Sequence, residues 1–183
     1  STAATDSNVA VGTSALRMLT SGTLDTAVGA YALRNNTTGQ FNTAFGTYAL
    51  FTNTTNGSNT AVGHSALYFN TAAGITAVGY SALTNNTTGN DNVAMGYSAL
   101  STNKAASGNT ALGYSAMLYA NDTTTATTTY NTALGAFALQ GSTTAANNTG
   151  TNNTALGHSS LRNITSGSYN VAIGGPGVTG GAL

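Results

Sequence analysis

The stretch "NTAVGHSALYFNTAAG" (Asn59–Gly74) carries an alanine two residues before Gly63, at Ala61, and another three after it, at Ala66. A leucine, Leu67, follows directly. The same phrase recurs along the chain. Anchored on its first glycine, it falls at Gly12, Gly29, Gly46, Gly63, Gly79, Gly96, Gly113, Gly135, Gly157 and Gly174. The successive spacings are 17, 17, 17, 16, 17, 17, 22, 22 and 17 residues. Self-similarity at a fixed period marks a repeat architecture, and here it is a unit of 17 residues written ten times. Two units carry five-residue insertions, near residues 121–130 and 143–152.

Each column has a character. Two residues before the glycine stands alanine in every copy, and one before it a larger apolar residue such as Val62, Met95 or Leu134. Four residues after it comes leucine, with Met117 and Val178 as substitutes. Four before it asparagine predominates, and three before it threonine or valine. The rest is polar turn material such as "TNNTTGND" (Thr84–Asp91), in which Asn and Gly tolerate the left-handed conformations of turns.

Seventeen residues are too few for a helical hairpin repeat. A helix through "NTALGYSAML" (Asn109–Leu118) would also place glycine at its centre. The period instead predicts two short strands bent at the glycine, followed by a polar return. Stacked units give an all-β fold, a parallel β-solenoid (β-roll) of about ten 17-residue coils, each touching only its neighbours. Residues 1–183 then form one repeat domain about 45–50 Å long at ~4.8 Å per rung. Side-chain alternation assigns the faces. The apolar column before the glycine and the leucine column after it are expected inside the coil. The alanine columns are expected on other faces, where a neighbouring chain approaches closely. A side-by-side homotrimer is the expected assembly.

Composition narrows the partners. Charged residues are 4% of the chain, against about 25% in ordinary globular proteins, and the formal net charge is zero. Binding through phosphates takes Lys and Arg, so no nucleic acid is expected. An anionic membrane surface is disfavoured for the same reason. No apolar run approaches the ~20 residues of a membrane span, so no membrane insertion is expected. A neutral surface lacks the repulsion that keeps chains apart, which favours association. With no cysteine there is neither a disulfide framework nor thiolate chemistry. Low charge and abundant Gly and Ser would suit disorder, but the apolar residues are spaced too regularly for it.

Catalysis needs positioned acids, bases or nucleophiles. The acids are Asp6, Asp25, Asp91 and Asp122, with no glutamate. Asp25 occupies the asparagine column and reads as a ladder residue. His64 and His158 share a column but stand more than five coils apart, roughly 25 Å at the rung spacing. No Gly-rich run precedes "GKS" or "GKT", so there is no phosphate loop. The chain is read as a non-enzyme without metal or cofactor.

Candidates for contact are aromatic and polar. Tyr80, Tyr97 and Tyr114 share one column on consecutive coils, with His64 just before them, and Tyr31 and Tyr48 fill the adjacent column. Such a row either binds sugars by stacking and hydrogen bonding or stacks rung upon rung to stiffen the rod. The insertions are loops on a regular scaffold, where function concentrates. They add Tyr119, Asn121, Tyr130 and Asn147 as receptor contacts. Arg17 and Arg34 follow leucine in successive coils and form either a small basic spot or solvated side chains.

The phrases "NVAVGTSAL" (Asn8–Leu16), "NVAMGYSAL" (Asn92–Leu100) and "NVAIGG" (Asn170–Gly175) resemble the head repeats of trimeric autotransporter adhesins. Those heads are left-handed parallel β-rolls wound side by side in threes. The adhesin motif has one more residue after its asparagine and a shorter period. "ITAVGYSALTNNTTG" (Ile75–Gly89) resembles repeats of phage and giant-virus tail-fibre proteins. The resemblance implies an extracellular fibre section, on a virion tail or a cell surface, that binds a host cell-surface glycan or protein. The alternative from another class is an ice-binding solenoid, suggested by the recurring threonine column. A polysaccharide-degrading tailspike is a third reading, and the scarcity of acids counts against it.

Overall fold

Alternating small and large residues around a glycine produce one short strand per unit rather than two. In the computed structural model, which describes residues 7–119, 125–144 and 148–175, each copy of the phrase forms a three-residue strand ending just before its glycine. Ten such strands make a single parallel sheet: β1 (Val9–Val11), β2 (Thr26–Val28), β3 (Thr43–Phe45), β4 (Thr60–Val62), β5 (Thr76–Val78), β6 (Val93–Met95), β8 (Thr110–Leu112), β10 (Thr132–Leu134), β11 (Thr154–Leu156) and β12 (Val171–Ile173). There is no helix among the described residues. The chain is a parallel β-solenoid.

Register never slips. Ala27 pairs with Ala44, Ala61 with Ala77 and Ala133 with Ala155. The 16-residue unit loses its residue in the return, where Ala72 and Ile75 are buried, and Thr60 still faces Thr76. The two units that carry insertions also leave the ladder uninterrupted. Part of the first forms β9 (Thr127–Thr128), which pairs in parallel with β7 (Ala106–Ser107).

Only half of the expected core is found inside. The leucine column is buried, with Leu33, Leu50, Leu67, Leu83 and Leu100 fully covered. The alanine columns are inside as well: Ala27, Ala44, Ala61, Ala32 and Ala49 have no exposed surface. The apolar column before the glycine points outward instead, with Phe45 55% and Ile173 78% exposed. Alternation allows either phase. The narrow coil decides between them, because a larger side chain in place of Ala61 would overpack a space already filled by leucine.

After the glycine the backbone does not continue as a strand. The residues two and four positions on adopt left-handed φ, for example Ser98 at 53° and Leu100 at 51°. Leucine in that region costs about 1–2 kcal/mol. Full burial of its side chain is worth about 1.5–3 kcal/mol, so the leucine stays. Hydrogen bonds still link rung to rung along this segment, as in Leu33 N to Ala49 O at 3.0 Å and Tyr31 N to Thr13 O at 2.8 Å.

Two asparagine ladders complete the interior. In the first, Asn42 Oδ1 accepts from Asn59 N (3.2 Å), Asn92 Oδ1 from Asn109 N (2.9 Å) and Asn153 Oδ1 from Asn170 N (3.0 Å). Ile75 breaks it: its N–H donates to Asn59 Oδ1 at 3.1 Å, but it offers no side-chain acceptor to the next rung. In the second, Asn53 donates to Asn36 Oδ1 (3.2 Å) and Asn103 to Asn86 Oδ1 (2.8 Å). Each of these amides also closes its own turn, as in Asn86 Nδ2 to Gly89 O at 2.9 Å. Most of these buried amide groups are paired in this way, and Asn53 Oδ1 and Asn103 Oδ1 are left without a partner where the second ladder is broken.

Candidate functional site

Two surfaces stand out on the rod: an aromatic seam beside the glycine bend, and the outward face of the sheet.

The seam is built by the column directly after the glycine. His64 stacks on Tyr80 (5.2 Å between ring centroids, 10° between planes), Tyr80 on Tyr97 (5.1 Å, 8°) and Tyr97 on Tyr114 (5.3 Å, 13°). His64 also lies edge-on to Tyr48 at 6.1 Å, and its Nδ1 is 3.0 Å from Ser65 Oγ. Beyond Tyr114 the seam continues through Phe137 (5.2 Å) to His158 (5.9 Å), both edge-on. Of the two ways to read the row from sequence, rung-to-rung stacking is the arrangement observed. Each inner tyrosine spends its ring faces on its neighbours and leaves about half of its surface, the edges, to solvent. What the row offers a partner is therefore edges and phenols rather than open ring faces.

The other named residues are placed differently. Tyr119 is half-buried, and its backbone carbonyl accepts from Asn148 Nδ2. Tyr130, 63% exposed with φ 49°, belongs to another column, five residues before its glycine, and packs beside Gly108. Asn121 and Asn147 lie outside the described residues. The seam gathers His64, Tyr80, Tyr97 and Tyr114 and leaves Tyr119 and Tyr130 outside it. Phe51 and Phe137 join the same path and were not in the expected set. Their signal was weak, because they sit two or five residues after the glycine and come together only through the bend.

On the sheet's outer face the threonine column and the apolar column run side by side. Val11, Phe45, Met95, Leu112, Leu134 and Leu156 are each at least 39% exposed. Contiguous apolar surface of this kind marks an interaction site.

The two acids among the described residues, Asp25 and Asp91, stand four rungs apart. Asp25 is fully buried in the first ladder: Oδ1 accepts from Asn42 N (2.9 Å) and Asn42 Nδ2 (3.1 Å), and Oδ2 from Asn36 Nδ2 (2.8 Å). Burial pushes its pKa up, and the Asn42 and Asn36 hydrogen bonds only partly oppose this. Asp91 is exposed in a return beside Gly74. A cavity of about 30 Å³, lined by Asn109, Thr129 and Asn131 among others, has room for water.

Asp25 yields a prediction. In other rungs the ladder amide donates to a return carbonyl, as in Asn8 Nδ2 to Gly22 O (2.9 Å) and Asn92 Nδ2 to Ala106 O (2.8 Å). A carboxylate cannot make that bond. Asp25→Asn exchanges the bond that Oδ2 accepts from Asn36 for one donated to the return and removes a buried charge, so it is expected to stabilise the fold at neutral pH by about 0.5–1.5 kcal/mol. The wild-type contribution has a definite sign. A carboxyl whose folded pKa lies above its unfolded value contributes stability that is fully present below the unfolded pKa, 3.8. That contribution is lost as pH rises through the folded value. Urea denaturation across this range will show the gap between variant and wild type widening with pH. A gap that does not change would contradict a raised pKa.

No protein-family model, no curated protein and no solved structure matches the chain.

Proposed function

We propose that this chain is a section of an extracellular fibre, on a virion tail or a cell surface, that assembles as a side-by-side homotrimer and contacts a host receptor or surface. The observation that carries the reading is the outward apolar column, which runs the full length of the sheet without a charged residue. A chain alone leaves this line in water. Another copy presents the same side chains at the same ~4.8 Å repeat, so every rung meets a matching rung. Neutral chains approach without repulsion. Closed rotational symmetry keeps such contacts from running on into aggregates, and three is the number that the resemblance to adhesin heads implies. The mechanism is display: weak contacts repeated on three chains gain avidity without a strong single site.

The test is binding of labelled protein to host cells, comparing the assembled form with a variant held monomeric. The assembled form is expected to bind at least about a hundredfold more tightly. Equal binding by the monomer would sink the reading.

One observation favours a second reading. The threonine and apolar columns share one outward sheet face, and such a regular face can order water into ice. A face buried between chains cannot also face ice, so the two readings exclude each other. Thermal hysteresis from a monomer would establish the second.

A further inference from the structure

All three arginines, Arg17, Arg34 and Arg162, stand five residues after the glycine of their rung and so lie along one edge of the rod. Over the first four rungs this column reads Arg17, Arg34, Phe51, Tyr68. Phe51 and Tyr68 stack at 5.0 Å and 20°, and Tyr31 and Tyr48 stack at 5.0 Å and 5°. Tyr48 joins the pairs, edge-on to Phe51 at 5.5 Å. The Arg34 guanidinium carbon lies 5.7 Å from the Phe51 ring centroid and 6.0 Å from that of Tyr31, so two rings hold the cation in place.

Its donors are almost unused. Nη1 reaches Asn35 Oδ1 only at 3.4 Å, and Nε is buried with no partner. Arg17 is exposed one rung away. The described carboxylate on these rungs, Asp25, is inside the coil and bonded to asparagines. Arg162 differs: its Nε donates to Gln140 Oε1 at 2.7 Å, and its guanidinium caps Phe137 at 4.8 Å.

We propose that Arg17 and Arg34, with Tyr31, Tyr48, Phe51 and Tyr68, form a binding site for an acidic oligosaccharide. The guanidiniums take its carboxylate or sulfate, and the sugar rings lie along the aromatic rungs. A guanidinium fork matches a planar or tetrahedral oxyanion with two parallel hydrogen bonds. Two cations are too few to hold a polynucleotide, whose binding grows with each phosphate neutralised. The site lies on the return side of the bend, off the outward sheet face, and leaves that face to assembly. The inference rests on the reading of the rod as a surface-binding fibre and names the class of sugar it takes.

Titration calorimetry of the full chain with a heparin hexasaccharide, an oligogalacturonate and cellohexaose tests it. At least one acidic probe is expected to bind, more weakly as salt is raised, and the neutral cellohexaose is not. Arg34→Ala should weaken binding by about tenfold or more, with Arg34→Lys between it and wild type because it keeps the charge and loses the fork. Arg162→Ala should leave binding unchanged. Circular dichroism and solution mass of each variant should match wild type. Binding of neither acidic probe overturns the proposal, as does an Arg162→Ala loss equal to that of Arg34→Ala, which would mean diffuse attraction. A change of oligomeric mass in both Arg34 variants also overturns it, by making Arg34 an assembly residue. If the chain adheres to cells yet binds neither acidic probe, the sugar class is wrong and the fibre reading stands. If it binds an acidic probe but adheres to no cell, the fibre reading fails instead.

Discussion

Gly79→Ala is expected to destabilise the fold by more than about 3 kcal/mol, enough to unfold a marginal domain. Two causes add. Gly79 has φ +131°, where an L side chain is strained. A methyl group there would also lie 2.5 Å from Gly96 O and 2.7 Å from Gly96 C on the next rung. That neighbour is backbone and cannot turn aside, and Gly96 itself packs against Gly113 in the same way. Gly174 separates the causes. Its φ is +121°, but no atom of the described residues lies within 4 Å of the added carbon. Gly174→Ala should therefore show the strain alone, at roughly 1–2 kcal/mol. Thermal melts of the two variants will read the difference. Equal losses would show that the rungs are not packed glycine on glycine.

Replacing Val62 and Val78 together by lysine is expected to break the assembly while leaving each chain folded. Both side chains point out of the coil, so the interior of Ala61, Leu67 and the asparagines is untouched. Between copies, however, adjacent rungs would bring unpaired ammonium groups together and remove them from water. An unpaired buried charge costs several kcal/mol, and each chain contributes two. The far-UV circular dichroism should match wild type and the mass should fall to that of one chain. A double variant that keeps the wild-type mass would show that the outward column is not the contact surface.

What could be read from the sequence follows from what a period can and cannot encode. The glycine spacing was sufficient for a parallel solenoid with one rung per unit, because register depends only on length. The two-residue alternation said that Ala61 and Val62 face opposite ways, but its phase is set by the width of the coil. That is why the valines were expected inside. The left-handed leucines were also illegible, since the Cβ of any side chain argues against that conformation and only the complete burial of the leucine reverses the balance. At the candidate site the column from His64 to Tyr114 was visible as a column. The links from Tyr48 to Phe51 and from Arg34 to Tyr31 join different columns across the bend. They needed the path of the chain after the glycine, which no spacing specifies.

The central claim is that the outward column is covered by copies of the same chain. Light scattering coupled to size exclusion, run over a wide range of protein concentration, tests it most directly. Three times the chain mass of 18.1 kDa is expected, falling to 18.1 kDa for the Val62→Lys, Val78→Lys variant. A wild-type mass of 18.1 kDa at every concentration would contradict the account.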